Sequence, residues 1–201
     1  MISGRIWWSP VVRPATITAT VGFVAAAVGA GALRSRYGRL MLVGLVLCAV
    51  GDLVGPHNFY YGMYAFLAAH LAFVPAFLTR ARGAPAGRKQ VRIAALLVGG
   101  ATVVLILWLY PYLPGIQRVG IVLYALVIGA FVIAAFAVRL RSLGAQAAAV
   151  GAVVFYISDI FVANWEFVVT DSWNAFVAYP LYYSACLLLA ASVFERSPPA
   201  S

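Results

Sequence analysis

Seven long apolar runs, joined by short basic connections, make up most of this 201-residue chain. Hydrophobic residues account for 65% of the sequence and charged residues for only 9%, whereas about a quarter of an ordinary soluble domain is charged. A compact soluble domain of this size has too little interior to bury so much apolar surface. The runs therefore predict a multi-pass α-helical membrane protein, and they exclude a soluble enzyme, a disordered chain and a disulfide scaffold.

Most of the runs are close to the ~20 residues that an α-helix needs to cross a bilayer. We predict an all-α integral membrane fold, a seven-helix transmembrane bundle in a single domain of residues 1–201. The expected spans are about 15–33, 40–55, 58–78, 93–110, 119–138, 145–163 and 175–194. The first run also has features of a signal peptide, because Ala-rich sequence follows a weakly basic start. A retained helix is favoured by the arginines directly after it, Arg34, Arg36 and Arg39.

The net charge of +9 indicates orientation rather than nucleic-acid binding. The basic residues lie in short connections, and no basic surface outside the apolar runs alternates with stacking aromatic residues. Connections on one side of the membrane hold eleven arginines and lysines, and those on the other side hold three. The positive-inside rule therefore predicts an N-terminus outside and a C-terminus in the cytoplasm, in a plasma membrane of bacterial type.

A short repeat relates the second span to the sixth. Gly44 precedes Asp52 by eight residues, and Gly151 precedes Asp159 by the same interval. Both spans are expected to run from the inside to the outside. We therefore predict two parallel halves, related by an axis along the membrane normal, with the first half one helix short.

Only five acidic side chains are present, so each of them can be considered separately. Glu195 lies beside Arg196 at the inner end of the last span, where a solvated pair is expected. Glu166 and Asp171 lie in an outer connection, where they are either surface residues or contacts to a polar headgroup. None of these three acidic residues requires a functional explanation.

The remaining two acidic residues, Asp52 and Asp159, lie inside apolar spans. A charge there costs ~2.5–3.5 kcal/mol on insertion scales, and such residues usually face a bundle interior or a wet cavity. They are the leading candidates for function, and a structural carboxyl group bonded to a tyrosine is the alternative. His70, on one helix face with Gly62 and Phe66, lies at the same depth. A buried structural histidine is an equally good explanation for it.

Further polar side chains lie at the level of the two aspartates. Together they would line a wet pocket that opens outward: Asn58, Tyr61, Tyr124, Ser158, Tyr179, Tyr182 and Tyr183. The inner halves of the spans are almost purely Ala, Val, Leu, Ile and Gly. This asymmetry argues against a through-pore.

Several specific chemistries are excluded by missing residues. The only lysine, Lys89, lies in a connection, so no retinal Schiff base can form within a span. No phosphate-binding Gly-Lys-Ser/Thr loop and no Gly-x-Ser-x-Gly nucleophile turn is present. The two aspartates and the histidine could supply three zinc ligands, but with one histidine at this depth we expect no metal and no other cofactor. Cys48 and Cys186 are expected to be buried free thiols.

Five short elements, in order along the chain, resemble the YhhN-like lysoplasmalogenase family. They are Arg13-Pro14, Gly51-Asp52, Gly62-Met-Tyr-Ala-Phe-Leu-Ala-Ala-His70, Gly151-Ala-Val-Val-Phe-Tyr-Ile-Ser158-Asp159 and Tyr182-Tyr183-Ser-Ala-Cys186. That family usually has eight spans, and we expect the first of them to be missing here. The connection after Asp52 is shorter than usual, and Cys186 stands where the family often has Gln.

The resemblance implies an integral membrane hydrolase that cleaves the vinyl ether bond of lysoplasmalogen. The products would be a fatty aldehyde and a glycerophospho-base, and the implied partners are a lysophospholipid substrate and membrane lipid, without a cofactor. A vinyl ether hydrolyses when an acid protonates its outer alkene carbon and water captures the oxocarbenium ion. Glycosidases stabilise a similar ion with two carboxyl groups.

We therefore predict that either Asp52 or Asp159 donates the proton and that the other acts as the carboxylate. His70 would orient the water or hold a carboxylate. The predicted substrate-binding residues are Tyr61, Tyr124, Ser158, Tyr182 and Tyr183.

Two other functions use the same residue types. A proton-coupled small-molecule transporter would also place Asp and His within the membrane and be built from parallel repeats. A lipid-binding protein would hold a lipid beside both aspartates without turnover. The sequence leaves the oligomeric state open.

Overall fold

A computed structural model describes residues 12–169 and 171–194, with side chains from residue 19 onward. Within these residues the chain forms seven α-helices and no strand. The helices are α1 (Val12–Gly29), α2 (Arg36–Val54), α3 (Phe59–Gly83), α4 (Arg88–Leu109), α5 (Arg118–Phe136), α6 (Leu143–Phe167) and α7 (Ser172–Ala191). The prediction of an all-α membrane bundle is confirmed.

Six helices, α2 to α7, are long and apolar enough to cross a membrane, and α1 adds a shorter apolar stretch, Ala19–Gly29. The protein is therefore a multi-pass integral membrane protein. Two helices continue well beyond the end of their predicted spans, α3 to Gly83 and α6 to Phe167. Hydropathy finds only the apolar part of a helix, and both extensions carry polar residues that the backbone keeps helical.

Four of the helices begin at a side chain that caps the first turn. Ser35, Asn58, Ser142 and Asp171 each accept a hydrogen bond from a backbone amide of the helix that follows. Such caps satisfy amides that have no partner within the helix. Asn58 is exposed and its side chain is used in this way, so the structure does not bring it into the predicted pocket.

Six helices pack in a ring in the order α1, α2, α3, α5, α6, α7, and α7 closes the ring against α1. The remaining helix, α4, packs outside this ring, mainly against α5. The closest pairs are α2 with α3 and α6 with α7. The predicted two halves would correspond to α1–α3 and α5–α7 in this order.

The two glycines of the repeat lie at the closest helix pairs. A Cβ atom on Gly44 would lie 2.1 Å from Cε1 of Phe73 on α3. A Cβ atom on Gly151 would lie 3.1 Å from Cβ of Leu188 on α7. The glycine of each repeat therefore allows two helices to pack closely, and the aspartate eight residues later is the acid.

At the end opposite the aspartates, one arginine joins four helices. The Arg80 guanidinium on α3 donates to the Ser192 carbonyl after α7 at 3.0 Å and to the Ser142 hydroxyl before α6 at 3.3 Å. It also lies over the ring of Tyr37 on α2, 4.8 Å from the centroid. The Tyr37 and Ser192 hydroxyls share a hydrogen bond of 2.5 Å.

Candidate active site

A cavity of about 130 Å³ lies among α2 to α7, at the end of the bundle where α2 ends and α3 begins. Most of its wall is hydrocarbon, including Phe66, Leu105 and Ile128. The side chains with hydroxyl or carboxyl groups in the wall are Asp52, Tyr124, Ser158, Asp159, Tyr179 and Tyr182. Two acids, placed in different helices, thus face one largely apolar space.

Asp52 accepts hydrogen bonds from two hydroxyl groups. Thr20 on α1 donates to Oδ2 at 2.5 Å, and Tyr182 on α7 donates to the same oxygen at 2.9 Å. Thr20 is fully buried, and Tyr182 is almost fully buried. The Tyr182 ring also packs edge-on against Phe66 and Phe155, with centroid distances of 5.5 and 5.4 Å. The position of the Asp52 carboxyl group is therefore fixed by hydrogen bonds from both the first and the last helix, α1 and α7.

Asp159 has a different pair of neighbours. Tyr124 on α5 donates to its Oδ2 atom at 3.0 Å. His70 on α3 places Nε2 3.9 Å from the same oxygen. The other imidazole nitrogen, Nδ1, lies 2.8 Å from the Phe66 carbonyl oxygen. A carbonyl only accepts hydrogen bonds, so Nδ1 carries the hydrogen in this contact.

The imidazole of His70 is fully buried between aromatic rings. The centroids of Phe155 and Phe131 lie 4.6 and 4.8 Å from that of the imidazole, and both rings meet it edge-to-face. Tyr124 and Phe73 lie slightly further away, at 5.8 and 6.2 Å. Close packing of this kind holds a ring in one orientation.

The contacts of the two aspartates follow a crossed pattern. Each aspartate meets a hydroxyl from the first helix of its own half, Thr20 for Asp52 and Tyr124 for Asp159. Each also meets a group from the third helix of the other half: Tyr182 reaches Asp52, and His70 approaches Asp159. Two parallel halves that share one central site would produce this arrangement.

A comparison with known sequences identifies the chain's relatives. The family model described as the YhhN family matches residues 8–193. The chain belongs to the YhhN family. It is 29% identical to the bovine protein named lysoplasmalogenase TMEM86A, over 79% of this chain and 67% of the relative. It is 31% identical to a Mycobacterium tuberculosis lysoplasmalogenase, over 82% of this chain and 64% of the relative.

Another relative, the pig lysoplasmalogenase TMEM86B, is 34% identical over 96% of this chain and 77% of its own length. The chain therefore spans about two thirds to three quarters of these relatives. No solved structure is significantly similar to it.

The structure describes the surroundings of three predicted substrate-binding residues of this YhhN-family chain, Tyr61, Tyr183 and Ser158. Tyr61 is 66% exposed and does not line the cavity, because Gly62, one position along α3, faces inward instead. Tyr183 lies behind the cavity wall, with its ring stacked on Tyr179 at 6.3 Å. Ser158 lines the cavity, but its hydroxyl donates to the Ala178 carbonyl at 2.9 Å and joins α6 to α7.

Tyr124 and Tyr182, the other two predicted contacts, lie at the cavity and bond to the aspartates. Sequence reasoning missed Thr20, which donates the shortest of these bonds. A threonine in an apolar helix carries no signal of its own. Its distance of 32 residues from Asp52 is similar to the 35 residues between Tyr124 and Asp159, and comparison of the halves could have found it.

The two cysteines are free and buried, as expected. Cys48 lies one helical turn from Asp52, and Cys186 lies one helical turn from Tyr182. Within residues 12–169 and 171–194, no group of three or more His, Cys, Asp and Glu side chains is placed to hold a metal ion.

Proposed function

We propose that this protein is a membrane hydrolase that cleaves the vinyl ether bond of a lysoplasmalogen. The products would be a fatty aldehyde and a glycerophospho-base. One observation carries the proposal: Asp52 and Asp159 face the same largely apolar cavity in a chain whose named relatives are lysoplasmalogenases.

The chemistry of the bond matches that pair of side chains. A vinyl ether becomes reactive when its outer alkene carbon takes a proton, which leaves an oxocarbenium ion. One carboxyl group donates the proton, and a second, ionised group stabilises the cation and activates water, much as in glycoside hydrolysis. Low polarity in the surrounding wall strengthens both interactions, because it weakens screening.

The shape of the cavity suits a lipid that is only partly enclosed. A volume of about 130 Å³ accommodates the vinyl ether and a few neighbouring atoms, but not a whole lysophospholipid. The rest of the alkenyl chain would lie between helices or in the surrounding lipid, and the headgroup would lie at the membrane surface. The loop charges support an orientation with this surface outside the cell, since eleven basic residues lie on the opposite side and three on this side.

Aldehyde release by the purified protein tests the proposal. Asp52→Asn and Asp159→Asn should each lower the rate by roughly 10²–10⁴-fold, the usual contribution of a positioned acid or base. Glu166→Gln is the matched control, since Glu166 is exposed and does not line the cavity, so that variant should keep the wild-type rate. Thermal melts would confirm that all three variants are folded.

Two results would refute the proposal. One is wild-type turnover in both folded aspartate variants. The other is a wild-type protein that forms no aldehyde from lysoplasmalogen but drives proton-coupled uptake of a solute into proteoliposomes.

A further inference from the structure

Building on the proposed function, we infer that the two aspartates have fixed and different roles. Asp159, paired with His70, holds the proton that is transferred to the substrate. Asp52 is the ionised carboxylate that receives a proton from water. The contrast between the neighbours of the two side chains carries this assignment.

Asp52 is surrounded by hydrogen-bond donors. Thr20 and Tyr182 both donate to Oδ2, at 2.5 and 2.9 Å. One carboxylate oxygen has two lone pairs and accepts both bonds without a proton of its own. These two hydrogen bonds stabilise Asp52 in its ionised form.

Asp159 faces one donor and one base. Tyr124 donates to Oδ2, whereas the His70 Nε2 atom 3.9 Å away has no hydrogen when the ring is neutral, because Nδ1 holds it against Phe66. Two electron-rich atoms then face each other across this gap. A proton on either of them removes the repulsion, so the Asp159–His70 pair holds one proton.

The surroundings of the imidazole offer His70 Nε2 no alternative hydrogen-bond partner within the described part of the chain. His70 Nε2 is buried and has no hydrogen-bond partner among residues 19–169 and 171–194. The rings of Phe155 and Phe131 cover the imidazole at 4.6 and 4.8 Å. A neutral acid beside a neutral imidazole also avoids an unpaired charge in this apolar wall.

The first half of the reaction converts the vinyl ether into a hemiacetal. The Asp159 O–H bond breaks as a C–H bond forms at the outer alkene carbon, which leaves an oxocarbenium ion and an Asp159 carboxylate. A water oxygen bonds to the cationic carbon, and its released proton passes to Asp52. A neutral hemiacetal results, with the protonation states of the two aspartates exchanged.

The second half restores the starting state. The protonated Asp52 gives its proton to the glycerol oxygen as the carbon–oxygen bond breaks. The hemiacetal hydroxyl gives its proton to Asp159 as the aldehyde forms. One water molecule is consumed, and the positioning residue His70 again faces a protonated acid.

Infrared difference spectroscopy tests the assignment directly, because the chain has only five Asp and Glu residues. Spectra of purified protein are recorded in a detergent without ester groups, in water and in deuterated water. The C=O stretching band of a protonated carboxylic acid should disappear in Asp159→Asn and remain in Asp52→Asn. Loss of the band in Asp52→Asn alone, in both variants or in neither overturns the assignment.

The neighbours provide a second test that leaves both aspartates in place. His70→Gln and Tyr124→Phe should shift the acid band without removing it, since each changes a group beside Asp159. Thr20→Val should leave the position of the band unchanged, since the Thr20 hydroxyl donates to Asp52 and not to Asp159. A band that moves with Thr20→Val and not with His70→Gln contradicts the proposal, even if an aspartate variant fails to fold.

Chemical rescue separates the roles during turnover. Formate should raise the rate of aldehyde release by Asp52→Ala roughly tenfold, because it replaces the missing carboxylate. It should leave the rate of Asp159→Ala unchanged. Rescue of Asp159→Ala alone overturns the assignment while leaving the hydrolase proposal intact. A wild-type protein that shows the acid band and forms no aldehyde overturns the hydrolase proposal while leaving the position of the proton intact.

Discussion

Close contact between α2 and α3 makes Gly44 sensitive to the smallest substitution. In Gly44→Ala, the added Cβ atom would lie 2.1 Å from Cε1, 2.4 Å from Cδ1 and 2.6 Å from Cζ of Phe73. Ordinary contact begins at 3.4 Å, so the ring or the helix must retreat by about 1.3 Å, the difference between 3.4 and 2.1 Å. Phe73 is fully buried, so its ring has no free space to enter.

Overpacking of this kind costs about 1–3 kcal/mol. Gly99→Ala is the matched control, because Gly99 lies in α4 and an added Cβ atom would meet nothing within 4 Å. Both variants gain the same helix propensity, about 1 kcal/mol, so their difference isolates the steric cost. We expect the melting temperature of Gly44→Ala to lie roughly 2–12 °C below that of Gly99→Ala.

Thermal melts in detergent, followed by circular dichroism, measure this difference. Adding Phe73→Leu to Gly44→Ala should cost less than the sum of the two single substitutions, because the clashing ring is removed. Aldehyde release should also fall in Gly44→Ala, since the Phe73 ring lies 6.2 Å from that of His70. Equal melting temperatures for Gly44→Ala and Gly99→Ala, with additive costs in the double variant, would refute the reasoning.

Two further substitutions test contacts at opposite ends of the bundle. Tyr182→Phe removes one of the two hydroxyl donors to Asp52 and should lower kcat for aldehyde release at least roughly tenfold. Tyr61→Phe changes an exposed ring and should leave kcat unchanged, so equal rates in both variants would contradict the site described above. Arg80→Ala removes bonds to two other segments and should cost about 1–3 kcal/mol of stability, whereas Arg82→Ala, an exposed neighbour, should cost no more than about 0.5 kcal/mol. Chemical denaturation measures both, and a similar small cost for the two arginines would show that the Arg80 contacts are not needed.

The membrane fold was largely predictable from the sequence, because long apolar runs leave a chain few alternatives. The helix ends were less predictable. Residues 164–167 are helical although Asn164 and Glu166 interrupt the apolar pattern, since backbone hydrogen bonding continues until the chain turns near Val168. The predicted end at residue 163 therefore marks the end of the apolar stretch rather than the end of the helix.

The two aspartates were predictable for a different reason, which is the high cost of an acid inside a membrane span. Their partners were only partly predictable, since His70, Tyr124 and Tyr182 were expected near the aspartates and Thr20 was not. Depth along a helix says nothing about direction around it, so Tyr61 was predicted in the pocket although its side chain is 66% exposed in the structure. Thr20 meets Asp52 because α1 packs beside α2, and the sequence's one signal for this contact is a spacing similar to that between Tyr124 and Asp159.

The crossed contacts have a consequence for how the site is made. Asp52 is synthesised early, but one of its two donors is on α7, the last of the helices described here. His70 is likewise made long before Asp159. A nascent chain that has inserted only its first helices therefore contains an acid without its final partners. The polar contacts of Asp159 are complete once α3, α5 and α6 have packed together. Those of Asp52 are complete only when α7 closes the ring of helices against α1, so most of the bundle must be inserted before both carboxyl groups have their working environment.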